Sequence, residues 1–152
     1  MECALAQIDT AQVALTGGAT GLVLAADAAP VAAPEPWVAL LPALDPAPMG
    51  WQERSWYLGE HRASCFDRSG NIGPTVWSDG RIVGGWAQRR GSGEVAVRML
   101  EDVGAEAERA VAEEAARTQE WIGDVRVTPR FRTPLERELS SPPSSGPPRI
   151  DG

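Results

Sequence analysis

Few residues in this chain have the chemistry for catalysis. His61 is the only histidine, and Cys65 follows it in an H-x-x-x-C spacing. Zinc is held by four ligands, and no second pair accompanies these two, so the spacing defines no metal centre. A Ser-His or Cys-His nucleophile needs its imidazole oriented by a third group, and nothing local to His61 supplies one. His61 therefore reads as a surface or structural histidine, and Cys65, within Ala63-Ser64-Cys65-Phe66, as a small buried hydrophobe. The Gly-rich joint Thr16-Gly17-Gly18-Ala19-Thr20 lacks the Lys and the following helix of a phosphate loop and reads as a plain turn. No catalytic residue, cofactor or metal is expected from these residues.

Arginine is the remaining chemistry. The chain has fourteen Arg and no Lys, a bias that a G+C-rich coding sequence would produce without selection for anion contacts. One cluster, Arg62, Arg68, Arg81, Arg89 and Arg90, lies in or beside turns, and a second, Arg126, Arg130, Arg132 and Arg137, surrounds Phe131. Arginines on hairpin tips can reach phosphates or a minor groove, and Arg68, Arg81, Arg89 and Arg90 are the candidate DNA contacts. The net charge of −7 argues against polyanion binding over the whole surface. Residues 1–50 carry five acids and no base, residues 51–100 seven Arg against five acids, and residues 101–152 seven Arg against eleven acids. Any nucleic-acid contact should therefore come from the middle segment.

The elements that would position these arginines centre on Thr75–Glu101. Asp79-Gly80 is a type I′ hairpin turn between two apolar runs. A simple two-residue loop pairs Ser78 with Arg81, Trp77 with Ile82, Val76 with Val83 and Thr75 with Gly84. Trp77, Ile82 and Trp86 would then share one face, and Val76, Val83 and Ala87 the other. Two apolar faces place this hairpin inside a sheet. Gly84-Gly85 predicts a bulge or a barrel corner, and Arg89–Gly93 an exposed basic turn.

Around the hairpin, short strands are expected at 12–15, 21–24, 37–41, 63–66 and 125–131, the strand at 37–41 being buried. LPALDPAPMG should be irregular, and Gln52–Leu58 a short helix presenting Trp51, Trp56 and Tyr57, either packed on the sheet or stacking bases. Asp67–Asn71 is a turn. The long helix spans 105–122, with Ala107, Val111, Ala115 and Ile122 on one stripe and Gly123 as terminator. Thr133-Pro134-Leu135-Glu136 is a helix start, and residues 140–152 read as a disordered tail. The domain plan is a strand pair and Pro-rich connector (1–36), a β-barrel-like core (37–139) and the tail. Two cysteines are too few for a disulfide framework, and no apolar run approaches the ~20 residues of a membrane span. A reduced, cytoplasmic protein is expected.

Four blocks carry a family resemblance: Leu41-Pro42-Ala43-Leu44-Asp45-Pro46; Arg54-Ser55-Trp56-Tyr57-Leu58-Gly59; Trp77-Ser78-Asp79-Gly80-Arg81-Ile82-Val83-Gly84-Gly85-Trp86; and Thr128-Pro129-Arg130-Phe131-Arg132-Thr133-Pro134-Leu135. Over residues 3–139 the chain resembles the C-terminal part of the winged-helix DNA-binding proteins typical of actinobacteria. These are related to DNA glycosylases that excise alkylated bases and unhook interstrand crosslinks. The resemblance implies an α+β fold: a small, mostly antiparallel β-barrel or sheet with one long helix packed on it, in a tandem winged-helix protein. It also implies duplex DNA as partner, with Asp67–Gly73 matching the barrel hairpin that approaches DNA in the glycosylase branch. Here that turn carries only Arg68 as a base. The glycosylase Gln-x-Gln or Gln-x-acid pair belongs to the N-terminal winged helices; Gln7-Ile8-Asp9 matches it only formally and is not the catalytic motif. The chain thus reads as a fragment, a non-catalytic DNA-binding accessory domain. The alternatives are the scaffold of a complete glycosylase, or an interaction module using the Trp51–Tyr57 aromatics.

Overall fold

The computed structural model describes residues 7–15 and 18–141, in two compact units, residues 1–35 and 36–152. In the first unit, β1 (Thr10–Ala14) pairs antiparallel with β2 (Thr20–Leu24). Both expected strands are there; Thr16 and Gly17 of their joint lie outside the described residues.

The second unit is built on an open four-stranded antiparallel sheet of β3 (Val38–Leu41), β4 (Thr75–Ser78), β5 (Arg81–Gln88) and β6 (Val95–Met99), in that order. Asp79 and Gly80 take φ of 47° and 83°, as a type I′ turn requires. Asp79 Oδ1 also accepts the Trp37 N–H at 2.9 Å, pinning the chain that enters β3.

Ser78 pairs with Arg81 and Trp77 with Ile82, as expected, but Val76 then faces Gly84 and Thr75 faces Gly85. Val83 is the extra residue of a β-bulge. One extra residue reverses the facing of everything beyond it. Ala87, not Trp86, therefore joins Trp77 and Ile82, while Trp86 joins Val76 and Val83. The glycines after the bulge answer close approach. A Cβ on Gly84 would run into the Arg98 carbonyl, and one on Gly85 would meet Leu135 Cδ2 at 2.5 Å.

Both sheet faces are covered, which explains the apolar character of the inner strands. On one lies α4 (Ala105–Ile122), reached after three helices of about one turn each, α1 (Pro46–Gly50), α2 (Ser55–Leu58) and α3 (Arg62–Cys65). Val111 of α4 packs with Val76 and Val83, joined by Val38, Leu40, Val97 and Met99 from the two edge strands. Gly123 closes the helix with φ of 55° and donates to the Gln119 carbonyl. On the opposite face Tyr57, Leu58, Cys65, Phe66, Ile72, Trp77, Ile82 and Ala87 pack with Leu135 and Leu139 of α5 (Pro134–Ser140). Full burial of each leucine stabilises the fold by about 1.5–3 kcal/mol. Thr133 caps α5 by accepting the Glu136 N–H at 3.2 Å, with Pro134 in the first turn, as the sequence predicts.

Several expectations are corrected. No barrel closes: β3 and β6 are free edges, and α4 packs against both across one face instead. The 37–41 strand is half-buried because it is an edge. Residues 63–65 belong to α3, and Phe66 alone, extended, bridges to Ile72. LPALDPAPMG contains α1, because Asp45 caps it through the Ala47 N–H at 2.9 Å and Pro46 opens it. Residues 125–131 form no strand; the Gln88 side-chain amide takes the place of a neighbouring strand. Its Nε2 donates to Val125 O and its Oε1 accepts the Val127 N–H, both at 3.0 Å. Ser140 is buried at the end of α5 rather than starting a tail, and 142–152 lie outside the described residues.

Candidate nucleic-acid interface

Arg68 sits on a turn built by its neighbour. Asp67 Oδ1 accepts the N–H groups of Ser69 (2.8 Å) and Asn71 (2.9 Å), and Oδ2 accepts Asn71 Nδ2 at 3.0 Å. These bonds favour the charged form, the Asn71 side chain foremost, and hold the Asp67 carboxyl below its ordinary value. Arg68 is thereby presented to solvent on a rigid Asx turn. Beneath it, Phe66 is flanked by two guanidinium groups, Arg62 at 4.9 Å and Arg54 at 5.3 Å from the ring centroid. Arg62, Phe66 and Arg68 line one shallow depression, with Glu60 at its rim.

The other three candidates are placed differently. Arg81 is half in solvent and gives its Nη2 to Glu101 Oε2 at 3.1 Å, an oxygen that also meets His61 Nε2 at 3.2 Å. His61 is therefore a structural histidine, beside a glutamate that also pairs with Arg81. Arg89 supports a turn: its Nη1 donates to Ser141 O at 3.1 Å, and its Nε meets Glu94 Oε2 at 3.2 Å. Arg90 anchors its backbone N–H on Ser140 O and leaves its side chain exposed. Arg81 is the first of the eight residues of β5 and Arg89 follows the last, about 25 Å apart at a strand's rise. The four arginines are thus not one patch. Arg68, Arg81 and Arg90 are exposed, and of these Arg81 is held by Glu101. In the second cluster, Arg126 is bound by the carbonyls of Ser92, Gly123 and Val125, and Arg132 is buried beside Glu136.

The sequence reading missed Arg54, whose Nη1 donates to Pro48 O at 2.6 Å. Its block, R-S-W-Y-L-G, was the available signal. There Tyr57 and Leu58 are buried, Tyr57 stacking on Trp77 with centroids 5.5 Å apart, while Trp51 and Trp56 are both 67% exposed. Burial raises the Tyr57 hydroxyl, and it pushes the Cys65 thiol up to about 11, leaving it an inert core group.

The motif blocks now have structural roles: Asp45 caps α1, Asp79 closes the hairpin and holds Trp37, and Trp86 Nε1 donates to Leu41 O at 2.9 Å. Fold and surface together define a small α+β domain, its sheet covered on both faces and its turns carrying cations. The chain belongs to the DNA glycosylase AlkZ-like family, whose model matches residues 2–121. No curated protein and no solved structure matches it. No helix among the described residues is long and apolar enough to cross a membrane.

Proposed function

We propose that this chain is a duplex-DNA-binding domain of an AlkZ-like DNA-repair protein and is itself non-catalytic. The observation that carries this reading is the family match together with arginines on exposed turns of the one segment whose charge is net positive. Arg68 and Arg90 make the principal phosphate contacts; Arg81 contributes from the hairpin, and Arg89 acts by holding its turn. The tandem winged helices implied by the resemblance are the setting in which such a domain would work. The non-catalytic part is supported by the occupied His61 and the buried Cys65.

A titration of fluorescent duplex DNA at low salt tests the reading. Wild type is expected to bind, and Arg68→Ala and Arg90→Ala each to weaken binding several-fold, with circular dichroism unchanged. Absence of low-salt binding, or variants that bind like wild type, would overturn it. Release of alkylated bases by the wild-type chain would overturn the non-catalytic part and favour the enzyme reading. A second reading rests on the exposure of Trp51 and Trp56: a protein-interaction module, supported by concentration-dependent self-association that Trp56→Ala removes.

A further inference from the structure

The sheet of the second unit ends on two edge strands, and they are finished differently. β3 is four residues long and lies between Pro36 and Pro42. Proline cannot donate to a ladder, so a short edge bracketed by prolines is guarded against pairing with another chain. β6 has five residues and no proline at either end. Its one charged residue, Arg98, pairs with Glu138 of α5.

Which groups β6 leaves open follows from its register. The Arg89 N–H donates to Glu94 O and the Leu100 N–H to Val83 O, both at 2.8 Å. Ala96 stands opposite Ala87, and Val97 opposite Trp86. Alternation along an antiparallel pair then turns the backbone groups of residues 94, 96, 98 and 100 toward β5. Those of Val95, Val97 and Met99 point off the edge. The Val95 N–H is met there by Gln119 Oε1 of α4 at 2.7 Å. Among the described residues, the Val97 and Met99 N–H groups meet no acceptor. On the α4 side of this edge lies a groove of about 620 Å³, lined by Val97, Met99 and Val111 and walled by Ala112, Ala115 and Ala116. Ala112 and Ala116 are exposed, and such small side chains leave room beside the open ladder.

We infer that the occupant of this edge is β6 of a second copy of the chain, added antiparallel across a two-fold axis. Val97 is the middle one of the three outward residues, so the greatest overlap sets Val97 against its own copy. Val95 then faces Met99, and Ala96 faces Arg98. Each Val97 bonds to its copy through both N–H and C=O, and each Met99 N–H reaches the Val95 carbonyl of the other copy. The contact is self-complementary, as a two-fold interface must be. Its charges are compatible as well, because no charged residue of β6 opposes its own copy and each Arg98 meets a small Ala96. Facing residues of an antiparallel pair share a sheet face, so Val97 and Met99 of the second copy enter the alanine-walled groove. This surface shares no residue with the phosphate contacts proposed at Arg68 and Arg90, and the two readings stand or fall separately.

Sedimentation velocity of the full chain across the micromolar range tests the inference. A concentration-dependent dimer is expected. Each copy carries a charge of −7, so added salt should strengthen the dimer by screening repulsion, whereas DNA binding weakens with salt. Val97→Pro removes an outward N–H and none of the bonds to β5, and should weaken the dimer about tenfold or more. Ala116→Glu, at an exposed position of α4, puts a second carboxylate in the groove with Glu108 and should act likewise. Circular dichroism checks that both variants fold, and if Val97→Pro does not, Ala116→Glu decides. Trp56→Ala should dimerise like wild type. A monomer at every concentration, a dimer that folded Ala116→Glu leaves unchanged, or a dimer abolished by Trp56→Ala would overturn the inference.

Discussion

At the scale of single residues, the most informative group is Glu136. Burial holds its carboxyl above the ordinary glutamate value of 4.5, against the opposing pull of Arg132. The folded chain thus retains a proton there that the unfolded chain has released. Its contribution to stability is fully present below 4.5 and is lost as pH rises through the raised folded value. In urea unfolding between pH 4 and 7, Glu136→Gln should gain on wild type as pH rises; parallel pH profiles would contradict this. The paired glycines offer a second residue-scale prediction. A methyl group on Gly84 meets backbone, which cannot yield, whereas one on Gly85 chiefly meets a leucine terminus. Gly84→Ala should cost about 1–3 kcal/mol and Gly85→Ala less, by denaturant midpoint; the reverse order would show that the bulge relaxes.

At the scale of elements, the segment 125–131 shows how one side chain substitutes for a strand. Its alternating valines suit a ladder, yet Val125 and Val127 are 62% and 60% exposed, and the backbone is fastened by the Gln88 amide. Gln88→Ala should cost about 1 kcal/mol, because water can replace these exposed bonds. It should also speed tryptic cleavage at Arg126 and Arg130 several-fold under native conditions. Unchanged cleavage would mean that the segment is held by its other contacts. The arginine turns divide in the same way. Asp67 rigidifies the turn that offers Arg68, while the turn carrying Arg90 is tied to α5 through Arg89, so α5 positions a candidate DNA contact from over forty residues away.

At the scale of the whole molecule, a net charge of −7 makes DNA binding a local affair of a few cations. With two principal phosphate contacts, the slope of log K against log salt on duplex DNA should be about −2. A slope several times steeper would require a broad basic face that the charge distribution does not supply.

Much of this organisation was legible in the sequence. Residues 105–122, the Thr133 cap and the Asp79-Gly80 turn are specified by contacts within a few positions, and local chemistry suffices to read them. The arginine turns and the absence of a local partner for His61 were equally plain. What the sequence left open depends on distant partners. The Val83 bulge exchanges Trp86 and Ala87 between faces, because pairing with β4 and β6 sets which residue is extra. Strand pattern at 63–66 yields to helix except at Phe66, which bridges to Ile72, and at 125–131 it yields to irregular chain, where a side-chain amide stands in place of a neighbouring strand. Composition alone determined a small, acidic chain whose bases are all arginine; its α+β class came from the strand and helix patterns together with the resemblance. Only the tertiary structure decided which arginines are held by distant partners, since Glu101 and Ser141 reach Arg81 and Arg89 from other parts of the chain. It also left β6 at the edge of the sheet, because strand order is set by pairing between distant segments and has no trace in local spacing.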